Sequence, residues 1–177
     1  MKISRKLFPP TVPWLKWKHP YFWVASSFGL GLSPLRGPAG ALLALPIAAY
    51  LHQHVLGLVE MFVLIGLLYF VGMKAADWWN KQTKTEDSSP IVIDETVGML
   101  LALSLLPSFH WEFWHVSVVF YMVYWLIFIL LDYIKPWPCK WLENRHGGAG
   151  VMLDDIGAGI YTAIVAYALV IGVGSLL

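Results

Sequence analysis

Charge is what this sequence has least of. Lysine, arginine, aspartate and glutamate make up only 13% of its 177 residues, about half the share of an ordinary soluble domain. With 58% hydrophobic residues and a mean hydropathy of +0.64, that deficit points to an integral membrane protein. Cysteine is nearly missing: Cys139 stands alone, which excludes an intrachain disulfide and leaves the redox compartment open. No basic face or stripe exists outside the loops, so nucleic acid is excluded as a partner. There is no early apolar run either. The first long one follows residue 38, too late for an ordinary cleaved signal peptide. Internal repeats and low-complexity tails are absent.

Apolar runs and aromatic rings are abundant. Ten tryptophans and eight tyrosines suit the membrane–water interface. A helix needs roughly 17–25 mostly apolar residues to cross a bilayer. Five stretches qualify once the shorter ones are extended into their flanks: about Pro38–Leu51, Leu58–Met73, Ile91–Leu106, Phe113–Leu131 and Val151–Gly174. Tyr21–Leu32 is apolar but brief and rich in glycine and serine, which suits a re-entrant or interfacial piece. The expected fold is all-α: a polytopic membrane helix bundle of about five transmembrane helices plus that short N-terminal segment. Residues 1–20 form a basic cytoplasmic N-terminal segment, and 21–177 the membrane domain.

Orientation follows from the cations. With the N-terminus inside, residues 1–37, about 74–90 and about 132–150 all face the cytoplasm. Those three regions contain all 12 lysines and arginines, as the positive-inside bias requires.

The acidic residues raise a sharper question. Asp154 and Asp155 open the last apolar run, and no charged residue follows them. Asp94 and Glu95 open the third run, and Asp132 closes the fourth. Three helix ends thus bring carboxylates to one membrane depth, where like charges repel and resist desolvation. A hard cation such as Mg²⁺ would gather them, since it takes oxygen ligands. The candidate metal ligands are therefore Asp94, Glu95, Asp132, Asp154 and Asp155. The plain alternative is that each pair caps its helix, where the dipole favours negative charge.

Glycine runs lie at the same level. "HGGAG" (146–150) leads into the fifth run and "GLGLSPLRGPAG" (29–40) into the first. Glycine permits close backbone approach, and helix N-termini bind phosphate. This makes His146, Gly147 and Gly148 candidate phosphate contacts, with Arg36, Lys135 and Arg145 as charge-assisted donors. Asp132 and Lys135 are three apart and so can share a helical face. His52, His54, His110 and His115 fall on the opposite side and read as interfacial polar residues. "CKWLENR" has the C-x₅-R spacing of cysteine phosphatases but no small residue or glycine between its ends, so Cys139 is not expected to act as a nucleophile.

Taken in order, "GLGLSP" (29–34), "IVIDETVGM" (91–99), "LDYIKPWP" (131–138) and "HGGAGVMLDDIGAG" (146–159) resemble the phosphatidylglycerophosphatase A family, from about residue 20 to 165. The resemblance implies a bacterial inner-membrane, Mg²⁺-dependent phosphatase. It would hydrolyse the terminal phosphate of the lipid phosphatidylglycerophosphate to give phosphatidylglycerol. The family's acidic residues carry over to Asp94, Glu95, Asp132, Asp154 and Asp155. Its lysine carries over to Lys135, and an aspartate ahead of the Asp-Glu pair to Asp87. The sequence departs from the family in the first motif: "LRGPAGALLALP" has neither threonine nor serine and is one residue shorter. If the family's threonine touches substrate in relatives, Arg36 or Ser33 substitutes for it here, or the local contact differs.

Two other functions compete. A cation transporter or channel would also use clustered carboxylates, but at mid-bilayer depth rather than at span ends. A CDP-alcohol phosphotransferase would also need Mg²⁺, but its signature of spaced aspartates is absent. For the phosphatase, direct attack by water and an aspartyl-phosphate intermediate both fit the pattern.

Overall fold

The computed structural model describes residues 17–54, 57–85, 88–105 and 114–174. Asp87 and His110 lie outside the described residues, as do the side chains of His52, His54 and His115. The described residues contain seven α-helices and no strand: α1 (Pro20–Ala25), α2 (Arg36–His54), α3 (Leu58–Thr83), α4 (Ile93–Ser104), α5 (Trp114–Ile134), α6 (Cys139–Glu143) and α7 (Gly148–Gly174), with a 3₁₀ turn at Leu30–Leu32. Each expected apolar run coincides with one of the five longer helices.

The helix ends differ from the expected ones in two places. α3 continues ten residues past Met73, because "KAADWWNKQT" contains no glycine or proline and is rich in good helix formers. It stops at Lys84, which takes a left-handed φ of 53° and bonds its N–H back to Asn80 O. α7 begins at Gly148, three residues earlier than the apolar pattern suggests.

α4 is the axis of the bundle. Eleven of its 12 residues are buried, all except Glu95, and it packs against α2, α3, α5 and α7. Its partnership with α7 is the tightest. A Cβ on Gly98 would lie 2.5 Å from Asp155 O, and one on Gly159 would lie 2.3 Å from Gly98 O. Only glycine lets the two backbones approach this closely.

The periphery is the reverse of a soluble protein's. Phe62, Val63, Leu67 and Phe70 of α3, Val119, Leu126 and Leu130 of α5, and Ile160 and Ile164 of α7 all point outward and are exposed. Water does not tolerate an apolar surface this continuous; lipid does. Leu58–Thr83 and Gly148–Leu169 are long and apolar enough to cross a membrane, and Val118–Ile134 is a shorter apolar helix. α1 is too short to cross. It packs on the extension of α3 through rings: Phe22 stacks on Trp79 at 5.0 Å and His19 on Trp78 at 4.4 Å between centroids.

Candidate metal and phosphate site

The carboxylates meet at one end of the bundle. Asp94 and Glu95 come from the first turn of α4, Asp132 from the last turn of α5, and Asp154 and Asp155 from α7. Carboxylate oxygens of Asp94, Glu95 and Asp155 lie within 4.8 Å of one another, and so do those of Asp132, Asp154 and Asp155. The donors are all hard oxygens, as Mg²⁺ prefers and zinc does not. Two acceptors in the cluster, Glu95 Oε2 and Asp154 Oδ1, are sealed from solvent without a hydrogen-bond partner. Such atoms are costly unless something positive meets them. The residues present therefore fit a hard divalent cation.

Helix capping does not account for the cluster. The N-cap of α4 is Val92, which makes no side-chain cap bond. Asp154 and Asp155 are not at a helix start, since α7 begins at Gly148 and has no acidic residue in its first turn. The expectation that the helix dipole stabilises these two is corrected: they lie almost two turns inside, where the end effect has faded.

Lys135 also differs from its sequence reading. α5 ends at Ile134 and Lys135 takes a φ of 48°. It thus leaves the helical register that would have set it beside Asp132. Its ammonium instead donates to Asp154 Oδ2 at 2.6 Å and pairs with Glu143 Oε1 at 3.0 Å. Burial works against the charge on Lys135, but Asp154, Glu143 and Asp132 more than offset it, so its pKa is raised.

The first turn of α2 is fastened beside the cluster. Trp125 Nε1 donates to Pro38 O at 3.0 Å, and the Thr96 hydroxyl lies 2.9 Å from both Gly40 O and Ser27 Oγ. A Cβ on Gly37 would lie 2.6 Å from Glu95 Oε1, so this bare glycine is the surface that Glu95 meets. Arg36, next in sequence, is partly exposed. Ser33 Oγ is buried without a hydrogen-bond partner. On the other flank, Arg145 and His146 are exposed, and the Arg145 guanidinium lies 4.7 Å over the Trp141 ring. Gly147 takes a φ of +80°, a conformation that favours glycine. The N–H of Gly148 is already engaged, donating to Asp77 Oδ1 at 2.6 Å.

Asp77, Glu143 and Thr96 escaped the sequence reading. Asp77 sits in the segment read as a loop, Glu143 in a short charged helix, and Thr96 inside a motif whose acids drew attention first. Cys139 is buried, and burial raises its thiol pKa. The carboxylates gather at one end of the bundle instead of lining a path through it, so a transporter receives no support.

The profile of one family, phosphatidylglycerophosphatase A, matches residues 23–170. The chain belongs to the phosphatidylglycerophosphatase A family. The Escherichia coli (strain K12) phosphatidylglycerophosphatase A is 35% identical over 155 residues, covering 86% of this chain and 85% of the relative. The Haemophilus influenzae phosphatidylglycerophosphatase A is 29% identical over 153 residues, covering 85% and 89%. A Bacteroides thetaiotaomicron protein with the provisional name phosphatidylinositol-3-phosphatase is 34% identical over 152 residues, covering 80% and 87%. No solved structure matches the chain.

Proposed function

We propose that this chain is a membrane phosphatase that hydrolyses the terminal phosphate monoester of phosphatidylglycerophosphate, releasing phosphatidylglycerol and inorganic phosphate. The observation that carries this reading is the meeting of five carboxylates and Lys135 at one end of an apolar bundle, in a chain of the phosphatidylglycerophosphatase A family. A substrate with a greasy body and an anionic tip suits that layout. The acyl chains stay in lipid while the phosphate reaches the polar end.

Asp94, Glu95, Asp132, Asp154 and Asp155 hold Mg²⁺ in this reading. Bound there, Mg²⁺ supplies polarisation of the phosphoryl group and offsets its charge. Lys135 holds Asp154 in place and balances charge on the transferring oxygens. Ser33 Oγ and the Arg36 guanidinium serve the phosphate from the α2 side; Arg145, His146 and Gly147 serve it from the α6–α7 side. Gly148, held by Asp77, fixes where α7 starts and hence where Asp154 and Asp155 lie. The reaction breaks the bond between phosphorus and the glycerol oxygen and forms one to a water oxygen, with a water proton ending on the glycerol.

The topology we favour has five spans, the apolar runs that contain α2, α3, α4, α5 and α7, in a bacterial inner-membrane protein. The site faces the cytoplasm, and α1 lies in the interface. The one-sided distribution of lysine and arginine supports it. In the same reading, residues 1–20 are a basic cytoplasmic segment and 21–177 the membrane phosphatase domain.

The test is phosphate release by the purified chain in detergent, with Mg²⁺ or with EDTA. Phosphatidylglycerophosphate, phosphatidylinositol 3-phosphate and phosphatidic acid are offered in parallel. Mg²⁺-dependent release mainly from the first is expected. Faster release from the inositol lipid would replace the substrate and keep the reaction class. Undiminished release in EDTA would end the metal reading.

A further inference from the structure

The five carboxylates do not form one ring. Asp94 and Glu95 close with Asp155, Asp132 and Asp154 close with Asp155, and Asp155 belongs to both groups. We infer that the cluster seats two divalent cations that share the Asp155 carboxylate, one toward α4 and one toward α5. The inference rests on the phosphatase reading and deepens it.

Helix geometry explains the division. Asp154 and Asp155 diverge by about 100° around α7. Asp155 points to the crossing with α4, while Asp154 falls to the side of Lys135 and Asp132. The glycine contact at Gly98 presses the backbone of Asp155 against α4 one turn beyond Asp94 and Glu95. This allows one short side chain to serve both groups.

Each group also contains its own unsatisfied acceptor. Glu95 Oε2 belongs to the first and Asp154 Oδ1 to the second, both sealed from solvent without a partner. Asp154 is only 6% exposed, and Lys135 already takes its Oδ2. Its Oδ1 is therefore left for a ligand beside Asp132 and Asp155. A single ion in either group would leave the other group's buried acceptor unmet.

Charge is compatible with the same count. Among the described residues, the cation bonded to the cluster is Lys135, whose ammonium also pairs with Glu143. With the five carboxylates ionised as ligands, a second divalent ion offsets negative charge that the first leaves near an incoming phosphate dianion.

The experiment uses Mn²⁺ alone as a paramagnetic probe. The full chain in detergent is stripped with EDTA and titrated with Mn²⁺, with bound ions counted by equilibrium dialysis and their coupling read by electron paramagnetic resonance. Wild type should bind two ions per chain with an exchange-coupled signal, because a shared carboxylate links their spins. Asp132→Asn and Asp94→Asn should each retain one uncoupled ion, and Asp155→Asn should lose the coupling and weaken both. Thermal melting of each variant shows that it is folded. One uncoupled ion per wild-type chain, with Mg²⁺-dependent phosphate release intact, overturns the shared-bridge inference and leaves the phosphatase reading standing. Wild-type phosphate release that persists in EDTA overturns the metal reading and the shared bridge with it, while two coupled ions without phosphate release from any lipid phosphate overturn the phosphatase reading and leave the bridge standing.

Discussion

Asp94–Glu95 and Asp154–Asp155 look alike in sequence: two adjacent acids at the head of an apolar run. In the fold they are unlike. The first pair sits in the first turn of α4, and both members enter the same carboxylate group. The second pair lies almost two turns inside α7 and is split, with Asp155 common to both groups and Asp154 tied to Lys135. The first pair keeps the benefit of a helix N-terminus, while the second has lost it. An acid pair before an apolar run therefore does not define a cap. What the pair does depends on how far upstream the helix begins and on what crosses it there.

The most direct way to break this contrast is at the shared member. Asp155→Asn should lower phosphate release by roughly a thousandfold, about 4 kcal/mol of barrier, with excess Mg²⁺ failing to restore it. Asp94→Asn should lose less and regain part of its rate at high Mg²⁺. Activity measured against Mg²⁺ concentration separates the two. Equal losses with equal rescue would mean that the pairs are equivalent after all.

The second way is to push the pairs apart. Gly98→Ala places a methyl 2.5 Å from Asp155 O, and backbone on both sides leaves nothing soft to yield. Overpacking of this kind costs about 1–3 kcal/mol. A lower melting temperature and a loss of activity of roughly a hundredfold are expected. Unchanged melting and activity would show that the α4–α7 crossing tolerates separation.

A third change acts on Asp154 alone. Lys135→Met removes the cation that holds its Oδ2 at 2.6 Å and leaves a buried carboxylate facing its neighbours. We expect a loss of activity of roughly thirty- to a hundredfold, about 2–3 kcal/mol. Lys135→Arg should recover part of it, because charge is kept while the ammonium geometry is not. Full activity in the methionine variant would remove Lys135 from the site.

The smallest effect is predicted at the support of α7. Asp77→Ala strips the acceptor from Gly148 N–H. The expected cost is about 1.5–3 kcal/mol in stability, typical for a hydrogen bond to a charged group, with activity within about fivefold of wild type. Asp77→Asn should sit between the two, since an amide oxygen still accepts. A larger loss of activity than of stability would place Asp77 in the chemistry instead of beneath it.

The sequence by itself determined the helical class, the position of every long helix and the membership of the acidic cluster. Those features are written locally. Apolar runs can satisfy their backbone in lipid only as helices, and charges are scarce enough here that each clustered acid stands out. The aspect in which sequence reading failed was partnership. The three-residue spacing of Asp132 and Lys135 suggested a shared face, but the helix ends at Ile134 and the ammonium bonds Asp154 and Glu143, with Asp132 acting on it through its charge. Asp77 gave no signal, because its partner is a backbone N–H 71 residues away. Only the tertiary structure decided that Asp155 belongs to two carboxylate groups. That sharing depends on two glycines, Gly98 and Gly159, meeting across a helix crossing, and close approach between distant backbones leaves no local periodicity to read.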